Sequence, residues 1–392
     1  MSNKITKSPQ IRFAGFEDAW EQFKLSDVAD YYDGTHQTPK YTHEGVKFIS
    51  VENIKNIWET DKYISENDYE KQFKIKPQIN DIFMTRITAG VIGDTALVEQ
   101  DEPLAYYVSL ALLRPKSIVP LFLEKYINSP PFKNELHMRI IHTAFPKKIN
   151  LGDIGECGLW IPNSKKEQGQ IGEFFKQLDH TITLHQRKLE LLKRTKKSLL
   201  QKMFPKDGAN VPEIRLVGFT DAWEQRKLGE ITQIKTGSSD LQDAVGDGEY
   251  PFFVRSENIE RSNRWIFDGE AILIPGEGRL GEIYHYINGK FDYHQRVYKI
   301  SNFTDSVTDG KYILYYMQRN FKRHALKFTV KATVDSLRLP MLTEFEVVLP
   351  SLEEQRKVSA IFSHLDNFIT LHQRELDSLK NLKKSLLHQM FI

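Results

Sequence analysis

Cysteine is almost absent: Cys157 is the only one in 392 residues. One thiol excludes a disulfide framework and any cysteine-rich metal site. Long apolar runs are missing too. No window approaches the roughly 18 apolar residues of a membrane span, and the start, MSNKITKSPQIRF, has no apolar signal core. The expectation is a soluble, cytoplasmic protein with no membrane partner. Nor does one sign of charge dominate. The 54 Lys and Arg face 52 Asp and Glu, a formal net charge of +2. Net charge therefore names no polyanion partner, although a locally basic face stays open. Catalytic signatures are equally scarce. There is no P-loop, no Gly-x-Ser-x-Gly elbow, no His-x-x-x-His pair and no nuclease-like acidic–lysine cluster. The expectation is a chain with no catalytic residues and no metal of its own.

What the chain does have is a repeat. ITLHQRKLELLKRTKKSLLQKMF (Ile182 to Phe204) returns as ITLHQRELDSLKNLKKSLLHQMF (Ile369 to Phe391), with 16 of 23 positions identical. Upstream, IRFAGFEDAWEQFKL from Ile11 returns as IRLVGFTDAWEQRKL from Ile214. The helical segments match at an offset of 187 and the upstream boxes at 203, so the first globular region is longer by 16 residues. Length alone suggests two domains, and 40% hydrophobic with 11% aromatic residues is enough for real cores. Between the boxes identity falls to fragments, such as SVENI (Ser50 to Ile54) against RSENI (Arg255 to Ile259). Two frames alike with unlike inserts suggest one scaffold carrying two specificities. The boundaries read as a globular region over 1–163, a helix and linker over 164–210, a second globular region over 211–350 and a second helix over 351–392.

Both helical segments open on a capping-box pattern, Ser164 with Glu167 and Ser351 with Glu354, just after Pro162 and Pro350. The pattern predicts that serine caps an orphan N–H and that glutamate reaches back to the cap. About 40 residues then span roughly 60 Å. Gly169 and Gly172 weaken the first turns of the first helix by about 1 kcal/mol each. Apolar residues follow steps of four and three. Leu178, Ile182, Leu189, Leu192 and Leu199 in the first copy answer Leu365, Ile369, Leu376, Leu379 and Leu386 in the second. A sustained 3.5 period is a coiled-coil seam. His185 and Lys196, with His372 and Lys383, interrupt it at matching places, and polar seam residues are a known way to fix register. The sharper reading is an antiparallel pair. The plainer one lays each helix on its own globular domain, and the length argues against it.

Two motifs invite misreading. PGEGRLGE, Pro275 to Glu282, contains G-x-G-x-x-G, but EIYHYING follows, which alternates as a strand does and then turns at Asn288-Gly289. A dinucleotide loop needs a helix there, so a glycine-bearing β turn is expected. SPPF, Ser129 to Phe132, resembles the motif with which amino-methyltransferases hold a flipped base. It follows LFLEKYIN, so a helix end is expected. If SPPF were functional, the chain would be a stand-alone DNA amino-methyltransferase. A non-DNA assembly scaffold is the other alternative.

The globular regions read as β-rich with short helices. Basic and amide side chains crowd their turns: Lys40, Lys47, Arg86, Lys147 and Lys148 in the first, and Arg255, Arg261, Arg264, Arg279, His294, Gln295, Arg296, Lys331 and Arg338 in the second. Arg and Gln read guanine and adenine edges bidentately, and Lys and Arg hold phosphates. These fourteen are the candidate DNA contacts.

The paired DAWEQ-x-KL boxes, the two P…S-x-x-E-Q helix starts and the two ITLHQR…KKSLL…MF helices resemble the specificity subunits of type I restriction–modification systems. FISVENI, DIFMTRITAGVIGD and AYYVSLALLRP are similar to that family's target recognition domains. The resemblance implies an α+β fold with an internal repeat: two β-rich target recognition domains, each for half of a split double-stranded DNA site, and an antiparallel coiled coil setting the gap. It implies two modification (methyltransferase) subunits docked on this chain and restriction (motor-nuclease) subunits joining them. S-adenosylmethionine, ATP and Mg would sit on those partners, none on this chain.

Overall fold

The structure, a computed structural model, describes residues 6–206, 209–303, 307–328 and 336–392. The long helices form where the spacing put them, over Lys165–Lys202 and Leu352–Met390, 38 and 39 residues. The chain divides into two compact units, residues 1–186 with 375–392, and residues 187–374. The divisions therefore fall inside the long helices, away from the helix starts at 164 and 351. Each unit owns one globular region, the beginning of one long helix and the end of the other.

In the first unit, the box strand Trp20–Lys24 pairs antiparallel with Gly158–Ile161, the strand that leads into the first long helix. The second unit repeats this with Glu224–Lys227 and Glu346–Leu349. The box is thus welded to the entry of the helix. The inserts differ. The first unit has two four-stranded sheets, Ala29–Asp33, Leu110–Pro115, Ile82–Thr85, Thr95–Leu97 in one and Leu104–Tyr106, Val46–Ile49, Tyr63–Ile64, Tyr41–Thr42 in the other. The second unit has one six-stranded sheet, ordered Gln233–Thr236, Val297–Ser301, Phe267–Pro275, His285–Tyr293, Tyr250–Phe253, Ile259–Ser262.

Within each unit the helices run antiparallel. Phe175 stacks on Phe391 at 5.6 Å in the first unit, and Phe204 on Phe362 at 5.6 Å in the second. Both pairs are related by the offset of 187. Phe175, Phe391, Trp20 and Phe122 share one core. Phe204, Phe362, Trp223 and Tyr312 share the equivalent one. So the start of each long helix does lie on its own domain, as the plainer reading held, while its end completes the core of the other unit. Gly172 has a reason beyond propensity: a Cβ there would come within 3.0 Å of the Phe122 backbone nitrogen.

Of the seam residues, Leu189 and Leu376 are buried at 5% and 3% exposure. Leu178 and Leu386 pack on the first unit's core, and Leu199 and Leu365 on the second's. Ile182, Leu192, Ile369 and Leu379 are half-buried. The polar interruptions are ion-paired across the helices. Lys196 meets Asp366 at 2.6 Å in the second unit, and its counterpart Lys383 meets Asp179 in the first. His185 lies 3.4 Å from Glu375, and His372 is buried. Asp179 also holds Lys125 at 2.8 Å. Burial pushes its carboxyl up, but the two lysines outweigh this and hold it below its usual range.

Three expectations need correction. The serines do cap, each accepting the N–H three residues on at 3.3 Å, but the glutamates do not reach back to the cap; arginines take them. Ser129-Pro-Pro-Phe132 does follow a helix end, at Ile127, but it also starts the next helix, Pro130–Arg139, with Ser129 at its N-cap and proline where no N–H is needed. Asn288-Gly289 makes no turn. The strand His285–Tyr293 runs through it, with Gly289 at φ +144° opposite Gly269 at φ +140°. The Pro275–Glu282 segment is a turn between strands, as expected.

Candidate nucleic-acid interface

The interface residues stand on a frame that starts with the glutamates. Glu167, fully buried, receives Arg12 bidentately at 2.6 and 2.8 Å. Glu354 receives Arg215 in the same way, at 2.9 Å twice. The neighbouring glutamines lock the same helix ends. Gln168 accepts the Val119 N–H and donates to the Pro162 carbonyl, both at 2.8 Å. Gln355 accepts the Asp309 N–H and donates to the Pro350 and Val307 carbonyls. Removing one partner of a buried pair strands a charge, at about 3–5 kcal/mol. Arg12→Ala is therefore expected to destabilise the first unit by that order, and Arg215→Ala the second, as denaturant unfolding would report.

On this frame the first unit carries five of the candidates. Lys147 and Lys148 are exposed on a short strand paired with Ile87–Thr88. Lys40 is exposed as well. Lys47 is partly tied down, 3.1 Å from Glu102 and over the Trp58 ring. Arg86 does not fit its assigned role. It is 7% exposed, and its guanidinium donates to both Asp33 oxygens at 3.0 Å and to the Val108 and Ile149 carbonyls. All three guanidinium nitrogens are engaged inside the unit, so Arg86 braces the turn rather than reading a base.

In the second unit several candidates gather at one cleft. Arg255 and His294 line a cavity of about 510 Å³ together with Leu241, Ser256, Glu260 and Glu277. Glu277 sits between Arg255, at 3.0 Å, and Arg296. Their hydrogen bonds hold its carboxyl below the usual range. Gln295 donates to Asp240 at 2.9 Å. His294 is 2% exposed, so its ring is no free base reader; its Nδ1 accepts the Arg296 N–H at 2.9 Å. The carboxylates fix long side chains in place, and fixed guanidinium forks are what bidentate readout needs. Arg279 pairs with Glu257. Arg261 is spent on the carbonyls of Gly248 and Glu249. Arg264 clasps buried Asp292 at 3.0 Å. Arg338 is exposed at the start of the Leu339–Thr343 helix. Lys331 lies outside the described residues.

Sequence reasoning passed over Arg12, Arg215, Gln168 and Gln355, although each occurs in both copies of its motif. That duplication was the available signal. It also missed Phe145, which is 92% exposed beside Lys147 and Lys148. Among the described residues no helix is long and apolar enough to cross a membrane.

Comparison with known proteins agrees with this architecture. The chain is 32% identical over 137 residues to the type I restriction enzyme EcoDI specificity subunit of Escherichia coli, covering 35% of this chain and 30% of that protein. It is 24% identical over 251 residues to the MjaVIII specificity subunit of Methanocaldococcus jannaschii, covering 57% and 59%. These matches span under two thirds of either relative's length. The crystal structure of a type I restriction–modification S subunit from M. genitalium shares the fold, with TM-score 0.70 at 16% identity over 98% of this chain and 99% of that one. The family model for the type I restriction modification DNA specificity domain matches twice, over residues 17–194 and 220–381. With both copies matched, the chain belongs to the type I restriction–modification DNA specificity family.

Proposed function

We propose that this chain selects a bipartite, asymmetric sequence in double-stranded DNA. Each globular region reads one half, and the paired helices set the gap and dock two modification subunits. Those partners bring S-adenosylmethionine and methylate adenine N6. Motor-nuclease subunits, with ATP and Mg, complete a restriction complex. The chain itself catalyses no step.

One observation carries the reading. The frame is duplicated down to individual contacts, Arg12–Glu167 with Arg215–Glu354 and Phe175–Phe391 with Phe204–Phe362, while the inserts between them fold into different sheets. A repeated frame suits two copies of one partner. Unlike inserts suit two different half-sites. Leu184 and Leu371, offset by 187, are exposed at 49% and 51%, an equivalent apolar contact in each copy for such a partner. The methyltransferase alternative loses its motif. Ser129 and Phe132 are each 0% exposed, and the Ser129 hydroxyl donates to the Tyr126 carbonyl at 2.6 Å, so neither can hold a base.

The test is reconstitution. The chain with modification subunits is expected to bind one asymmetric sequence, with affinity falling steeply as salt rises because phosphate contacts release counterions. Binding without sequence preference would favour a scaffold. Methyl transfer by the purified chain alone would favour the enzyme.

A further inference from the structure

Phe145 stands apart from the other described Phe, Tyr and Trp side chains. It is 92% exposed, and among the described residues no other Phe, Tyr or Trp exceeds 53%. Its surroundings are built, not frayed. Ile141 donates its N–H to the Lys148 carbonyl at 2.8 Å and forms a bridge with that residue, closing a finger over residues 141–148. Lys147 and Lys148 pair with Thr88 and Ile87. Ile149 donates its N–H to the Arg86 carbonyl at 3.0 Å. Arg86 in turn is buried and anchored to Asp33, Val108 and Ile149. The finger therefore rises from a fixed base.

Its charge has one sign. From Leu136 to Gly152 there is no Asp or Glu, while Arg139, Lys147 and Lys148 are basic. Arg139 is held by Glu135. Lys147 and Lys148 are exposed, and neither makes an ion pair among the described residues. An exposed ring beside two free cations matches what nucleic acid offers: phosphates for the lysines, and a base face or step for the ring. Proteins that insert a single apolar side chain into a base step use this combination.

We propose that Phe145 is a specificity-determining contact that stacks on, or inserts at, a base step in the half-site read by the first unit, with Lys147 and Lys148 clamping the flanking phosphates. This rests on the DNA-recognition reading above and adds to it a particular residue and mode of contact.

The test uses the chain assembled with its modification subunits. Phe145→Ala is expected to weaken specific binding by about 5- to 150-fold, the range for losing one base–aromatic stack. The salt dependence should not change, because no charge is lost. Lys147→Ala should instead lower the slope of log affinity against log salt by about 0.9. Phe145→Trp should retain binding. 2-Aminopurine placed through the first half-site, leaving out the adenine that the modification subunits flip for methylation, should brighten on binding of the wild type at one step only, and not with Phe145→Ala. Since the ring is exposed, thermal unfolding and subunit assembly should be unchanged. Wild-type affinity and fluorescence in the Phe145→Ala complex would overturn the proposal. So would loss of subunit assembly with DNA contacts intact, which would make the ring a protein contact. A wild-type complex without sequence preference would remove the recognition reading, and this proposal with it.

Discussion

Replacing residues 24–160 with the equivalent region of a relative is expected to change one half of the recognised sequence completely and leave the other untouched. The frame explains why the exchange can work. Arg12, Trp20, Glu167, Gln168, Phe175 and Phe391 all lie outside the exchanged segment and stay in place. Gln168 reaches into the segment, but it accepts the N–H of Val119, a backbone group that any residue except proline supplies. The donor region needs apolar groups where Phe122 and Tyr126 stand, because both pack on Phe391. Each base pair misread costs about 1–3 kcal/mol, so even a half-site of a few pairs gives an effect of many orders of magnitude. Sequencing of the methylated sites reads the outcome. A change in both halves, or in neither, would contradict modular recognition.

Phe391→Ala is expected to cost about 3–5 kcal/mol, the usual range for emptying a buried phenylalanine site. Phe391 is 2% exposed and meets Trp20, Phe122, Tyr126 and Phe175. A domain has only about 5–15 kcal/mol in hand, so this substitution spends much of the first unit's stability. The second unit, whose equivalent ring is Phe204, should keep its own transition. Calorimetry would then show the first unit melting earlier and the second unchanged. A single transition shifted as a whole would mean that the two units unfold together. An unchanged profile would mean that the end of the second helix is not part of the first unit's core.

The long helices were legible because period and caps are local signals, and both copies repeated them. The antiparallel partnership was legible because polar residues recurred at the same seam places, and Lys196 with Asp366 shows what such residues are for. The glutamates were misjudged for a physical reason. A capping box needs only residues three apart, whereas Arg12 is 155 positions from Glu167 in the chain, and no local rule foresees that a guanidinium will outcompete an amide. Arg86 was misjudged because composition cannot tell a buried guanidinium from an exposed one; its partners Asp33, Val108 and Ile149 come from three separate segments. The reach of each helix end into the opposite unit follows from Phe204 and Phe391. Both stood in the repeat as terminal apolar residues, but the core that each completes becomes visible only in the fold.

The measurement that bears most directly on the central claim is a map of methylated adenines in cells carrying the modification subunits, with and without this chain. The account predicts one asymmetric split motif, two unlike specified blocks around a gap of constant length, that appears only when the chain is present. A palindromic motif, a gap of variable length, or the same methylation without the chain would contradict it.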